Sequence, residues 1–130
     1  MRIIVGVIAL IFFCLVACKK EHKTSEEKDL IIHQTNTAAH IPLGQPITSS
    51  VAYYYGPCDG LKGIEITPSS GTTFEIRIKG YRQPEGVIAC ADVIFSKDTT
   101  LSIPVTSKGQ YILKFYNRNE VFKSDTVQVN

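Results

Sequence analysis

Acids, histidines and thiols are the groups through which this chain of 130 residues could do chemistry, and their placement points away from catalysis. The three histidines, His22, His33 and His40, all precede residue 41, in a charged stretch and its junction with the strand-patterned remainder of the chain. A core without histidine has no imidazole base for a serine or cysteine nucleophile and lacks the commonest zinc ligand. Residues 56–63 are glycine-rich, but Gly63 follows Lys62 where a phosphate-binding loop carries Ser or Thr, and a strand pattern comes next in place of a helix. The carboxylates from Asp59 to Asp125 are scattered, so they are expected on solvated faces and not as a glycosidase pair. Asp92, between Ala91 and Val93, reads as a strand-end or bulge residue bonded to a backbone amide. Tyr53, Tyr54 and Tyr55 put two rings on one face of a strand and one on the other, so at least one is expected to be exposed. Tyr55, beside the loop that holds Pro57 and Asp59, could stack on a sugar or a peptide; ordinary sheet packing is the plainer role, and the absence of tryptophan weakens the carbohydrate case. Tyr55 and Asp59 are the candidate ligand-binding residues. No enzyme activity, metal or cofactor is expected.

The formal net charge of +2 leaves no electrostatic footprint for nucleic acid. A charged fraction of 20% and a hydrophobic fraction of 44% suit one globular domain, although the second figure is raised by the N-terminal run. In that run Arg2 is followed by an unbroken apolar stretch, residues 3–16, and then by Ala17, Cys18, Lys19 and Lys20. The length is that of a secretory signal and falls short of the ~20 residues that a spanning helix needs.

Leu15, Val16, Ala17 and Cys18 resemble the lipobox of bacterial lipoproteins, with leucine three before the cysteine and a small residue just before it. Cys14 does not fit, because bulky Phe13 precedes it. The resemblance implies a signal peptide over residues 1–17 and acyl chains on Cys18. At about 0.8 kcal/mol per buried methylene, two or three such chains hold a protein at a membrane. A cysteine followed by lysines and acids is also similar to the start of Bacteroidota lipoproteins. Because Lys19 and Lys20 come first and Glu21 stands alone, both the cell surface and the periplasmic face of the outer membrane stay open. Residues 19–29 hold no apolar residue, so residues 18–37 are expected to be a charged, disordered tether, with Leu30, Ile31 and Ile32 starting an edge strand or docking on the domain.

Export would put Cys58 and Cys90 in an oxidising compartment as the two thiols left after Cys18 is acylated, and they are expected to form a disulfide. Closing the loop between them contributes roughly 3–4 kcal/mol by chain entropy. Cys58 falls in a turn, so this is not the inter-sheet bridge of antibody domains.

The elements that must position these groups are strands. From Ala38 onward the apolar period is 2, clearest where Phe74, Ile76 and Ile78 alternate with Glu75, Arg77 and Lys79. Strands are expected at residues 47–55, 64–67, 72–79, 87–95, 101–105, 111–115 and 121–129, with Gly- and Pro-rich turns between them. Such spacing without a helical pattern predicts an all-β, antiparallel sandwich of about seven strands over residues 38–130. Residues 109–115, an Asn-rich turn and residues 122–129 resemble the final hairpin of an immunoglobulin-like or fibronectin-type domain. In that resemblance Tyr111 is the corner tyrosine, whose hydroxyl bonds back to the backbone. Over its whole length the chain resembles Bacteroidota lipoproteins with one such domain, a family of unknown function. The expectation is therefore an outer-membrane, lipid-anchored module that binds an unknown protein or glycan without catalysis. The alternative is an inhibitor of a periplasmic or host enzyme acting through a disulfide-backed loop. The candidate loops are residues 56–63 and 83–86.

Overall fold

A computed structural model of the chain describes residues 25–84 and 90–130; Cys18, its lipobox and residues 85–89 lie outside the described residues. Eight strands form, and no helix does among the described residues: β1 (Glu26–Thr37), β2 (His40–Ile41), β3 (Ile47–Tyr55), β4 (Asp59–Pro68), β5 (Thr73–Arg82), β6 (Phe95–Ile103), β7 (Gly109–Asn117) and β8 (Glu120–Val129). The predicted bounds of the third strand, 47–55, are those observed. The all-β sandwich holds, with one strand more than expected.

Alternation decides which side of each strand is buried. Ile76 and Ile78 of β5, Tyr111, Leu113 and Phe115 of β7, Val51 and Tyr53 of β3, and Leu101 and Ile103 of β6 meet in one core between the layers. Each large side chain buried there stabilises the fold by about 1.5–3 kcal/mol. Tyr111 lies in this core, and its hydroxyl donates to the Ser107 carbonyl at 2.9 Å, the backbone bond expected of a corner tyrosine.

One layer is β4–β5–β7–β8–β2 and the other is β1–β3–β6. β5 runs parallel to β7, and β2 parallel to β8, so the expectation of a wholly antiparallel arrangement is corrected. The cause is connectivity. After β5 the chain crosses to the opposite layer as β6 and returns as β7, and a single intervening strand brings it back in its starting direction.

The larger correction concerns β1. Residues 26–37, predicted to be tether, form a twelve-residue strand that belongs to both layers. Glu26–Leu30 pairs with β5, and Ile31–Thr37 pairs with β3. The partner changes between Leu30 and Ile31, and a register shift between Ile32 and Gln34 marks a bulge just after the strand has passed from one sheet to the other. It also changes the phase of burial, so that Leu30 and Ile32 before it and Thr35 after it all face inward. At the bend, Asn117 Oδ1 accepts from Ile32 N at 2.8 Å and Asn117 Nδ2 donates to Ile32 O at 2.9 Å. A side-chain amide thus takes the backbone bonds on the edge of β1 away from β3, where pairing with β5 has ended.

The strand predicted at residues 87–95 is also corrected. Residues 90–94 are irregular, and β6 starts only at Phe95, where pairing with Tyr55 begins. Apolar composition favours a strand there, but Val93 N bonds back to Ala91 O at 2.9 Å, a local turn in place of a ladder.

Candidate functional site

The start of β1, the β3–β4 loop, the ends of β5 and β7, and the start of β6 all lie at one end of the sandwich. Glu26 pairs with Arg82, Arg82 with Asp59, and Tyr55 with Phe95. An open groove of about 490 Å³ occupies this end, with Lys28, Ile31, Tyr54, Asp59, Arg82 and Ile94 among its lining residues.

Cys58 and Cys90 are joined, as expected, with their Cα atoms 5.6 Å apart. The bridge ties the turn after β3 to the irregular segment before β6, two walls of the groove that no strand pairing connects. Cys58 O also accepts from Gln83 N at 2.9 Å, which holds the end of β5 against the same turn.

Asp59 closes that turn. Its Oδ2 accepts from Gly56 N and from Lys28 Nζ, each at 2.8 Å. Burial pushes the Asp59 carboxyl up, but the Lys28 ammonium, the Gly56 amide and the nearby Arg82 outweigh it and hold the pKa below the ordinary carboxylate range. Its other oxygen, Oδ1, is buried and has no hydrogen-bond partner among the described residues. That oxygen has almost no accessible surface, so Asp59 serves the groove by building the loop and fixing Lys28, and not as an open acceptor.

The tyrosines separate as their alternation requires, but the exposed ring is not that of Tyr55. Tyr53 is core, and Tyr55 is half-buried between Tyr53 and Phe95, with ring centroids at 6.3 and 5.5 Å. Tyr54 is the exposed one, stacked on His33 at 4.1 Å. Tyr55 is thus a wall residue, and Tyr54 is the aromatic that a ligand would meet. His33, expected in the tether, stands on β1, where its Nε2 lies 2.7 Å from Ser96 Oγ. Asp92 is exposed at the rim, in the irregular segment and not in a strand. Of the two candidate loops, residues 56–63 line the groove in part, whereas 85 and 86 lie outside the described residues.

Sequence reasoning missed Lys28, Ile31, Arg82 and Ile94. Ile94 is 74% exposed, far more than any other large apolar side chain among the described residues. An apolar residue in an apolar run reads as core, and only the absence of pairing before Phe95 reveals it as a protrusion. Among the described residues no three of His, Cys, Asp and Glu converge as metal ligands. What the arrangement offers is contact: apolar tips, one stacking ring and a fixed ion pair.

The family model of the ORF11 beta-sandwich domain matches residues 50–129, a span that opens inside β3 and leaves β1 and β2 outside. No curated protein and no solved structure matches the chain.

Proposed function

We propose that this chain, which belongs to the ORF11 beta-sandwich domain family, is a membrane-anchored envelope lipoprotein, acylated at Cys18, whose domain acts as a non-enzymatic binding or accessory module through the groove. The observation that carries the binding reading is the groove itself. Its walls are pinned by the Cys58–Cys90 bridge and the Lys28–Asp59 pair, while Tyr54 and Ile94 stand exposed beside them. Rigid walls under apolar tips favour contact, because little conformational freedom is lost when a partner binds. The anchor reading is supported by Leu15, Ala17 and Cys18 alone.

The test is photocrosslinking in cells that produce the full chain, with a photoreactive residue in place of Ile94 or, as the control, of Leu43, which is exposed in the β2–β3 loop at the other end. Adducts from Ile94 and none from Leu43 are expected. Equal labelling from the two, or none from Ile94, refutes the groove as the contact surface. One observation favours the inhibitor reading as well: Ile94 protrudes only four residues after the disulfide, as a reactive-loop tip would. A single hydrolase as the adduct would select that reading.

A further inference from the structure

We infer that the occupant of the groove end is the lipid bilayer itself: the tips around Ile94 dock into the interface of the membrane that the Cys18 chains enter. The inference rests on the lipoprotein reading and names the partner of the same site. It is carried by where the chain enters the domain. Strand β1 begins at Glu26, opposite Arg82, on the groove end. Only residues 19–25 separate it from Cys18. Fully extended, the eight steps from Cys18 to Glu26 span at most about 27 Å.

That reach is short against the domain. From Arg82 to Thr73 β5 makes nine steps, about 30 Å at 3.3 Å per residue, and β7, with Ile112 opposite Thr73, carries the sheet three residues farther to Gly109 at the Leu43 end, about 40 Å in all. To bring the opposite end, with Leu43, to the bilayer, the tether would have to run back along the whole domain, farther than it can extend. The groove end meets no such limit, and a slack tether leaves it free to touch the surface.

What this end presents suits an interface. Val93, Ile94 and Phe95 are consecutive and exposed, and Tyr54 lies beside them in the groove lining. The three apolar residues stand on an irregular segment and the first position of a strand, so they can enter the acyl boundary without dragging a sheet with them. Lys28 and Arg82 line the same groove, and Arg118 lies with Lys28 and Tyr54 in the adjoining depression. Long cationic side chains and a tyrosine around an apolar tip are what the headgroup layer accommodates. Insertion of about 5–10 Å, the usual depth for interfacial elements, takes in this segment and leaves the core outside.

The test uses the full lipidated chain reconstituted into vesicles of phosphatidylethanolamine and phosphatidylglycerol, some with brominated acyl chains. The protein contains no tryptophan, so Ile94→Trp places a single fluorophore at the tip and Leu43→Trp places one at the far end. The inference expects blue-shifted emission from Ile94→Trp, with strong quenching by the brominated chains and weak quenching by aqueous acrylamide. The Leu43→Trp protein should behave oppositely. Acrylamide quenching of Ile94→Trp equal to that of Leu43→Trp overturns the docking, and so does shielding from both quenchers, which marks a protein contact. Should Ile94→Trp lose its strand signal in circular dichroism, Val93→Trp serves in its place. The mass of the Cys18 peptide from the same preparation separates the two levels. An unacylated Cys18 overturns the anchor and the docking together, whereas an acylated chain with the fluorophore in water overturns the docking alone.

Discussion

Replacing Asn117 by alanine should loosen β1 at the bend on which the groove depends. The side chain makes two bonds, 2.8 Å from Ile32 N and 2.9 Å to Ile32 O, and Ile32 is almost wholly buried. Alanine leaves one backbone donor and one acceptor without a partner on the edge of β1 away from β3, where pairing with β5 has ended. A buried group left unsatisfied costs about 1–3 kcal/mol, and partial access of water to this site puts the pair toward the low end, about 2–3 kcal/mol in all. Total stabilities of single domains are about 5–15 kcal/mol, so the loss is a substantial fraction. Urea unfolding of the oxidised, lipid-free chain should show it as a lower midpoint with an unchanged slope, about 1–1.5 M lower for a slope of about 2 kcal/mol/M. Amide exchange should localise it, with faster exchange in Asp29–Gln34 and little change in β7 and β8. The Asn117→Asp variant keeps an acceptor for Ile32 N but sets a carboxylate against Ile32 O, so it should regain part of the loss when protonated at low pH. An unfolding free energy for Asn117→Ala within about 0.5 kcal/mol of wild type, or exchange that rises evenly over the chain, would refute the view that this amide replaces a missing strand.

Reduction of Cys58–Cys90 should cost roughly 3–4 kcal/mol from loop closure, read as a lower melting temperature with dithiothreitol than without; an unchanged melting temperature would mean that the bridge does not constrain the unfolded chain. Stability should fall in acid. Burial raises the Asp125 carboxyl, but bonds from Thr37, Lys123 and Thr35 prevail and hold its pKa low, as Lys28 and Gly56 do for Asp59. With folded values below the unfolded value of about 3.9, the unfolded chain binds more protons in that range, so the stabilisation is complete above about pH 5 and is lost as pH falls through the folded values. Asp125→Asn should flatten that slope in urea titrations between pH 5 and 3; an equally steep slope would exclude Asp125 as a source. Gly80→Ala should cost about 2–3 kcal/mol, because its Cβ would lie 2.7 Å from both the Gly60 carbonyl oxygen and Leu30 Cγ, and a backbone atom cannot swing aside; a variant as stable as wild type in the same titration would show that β4 and β5 separate freely.

Much of the sandwich is legible because its strands bury one face. Ile47 to Tyr55, Phe74 to Ile78 and Tyr111 to Phe115 carry alternation that backbone geometry turns directly into burial. β1 is illegible for the opposite reason. Its first residues, Glu26 to Asp29, carry no apolar side chain, and they are held by ion pairs whose partners lie far along the chain: Lys62 with Glu27, Asp59 with Lys28, and Lys79 with Asp29. Composition reports whether a segment can bury itself, and these residues pair without burying an apolar face. The bulge compounds the problem, since a shift in register between Ile32 and Gln34 breaks the period by which a strand is recognised.

The same non-locality hides the groove and ties its fate to the anchor. Lys28 and Ile31 come from β1, Tyr54 from β3, Asp59 from β4, Arg82 from β5 and Ile94 from the segment before β6, so of these only Tyr54 and Asp59, on either side of one turn, share a local window with another wall. One strand joins the proposed anchor to three of them: Lys28 holds Asp59, Ile31 pairs with Tyr54 and Glu26 with Arg82. A longer tether and a looser β1 would therefore act differently. Inserting flexible residues after Thr24 should free the domain to turn while leaving the groove intact, whereas Asn117→Ala should weaken the groove wall while leaving the reach of the tether unchanged. If orientation at the bilayer comes from chain length, only the insertion should abolish the difference between the two ends of the domain; if it comes from insertion of the Ile94 tip, the difference should survive a longer tether and disappear with Ile94→Asp.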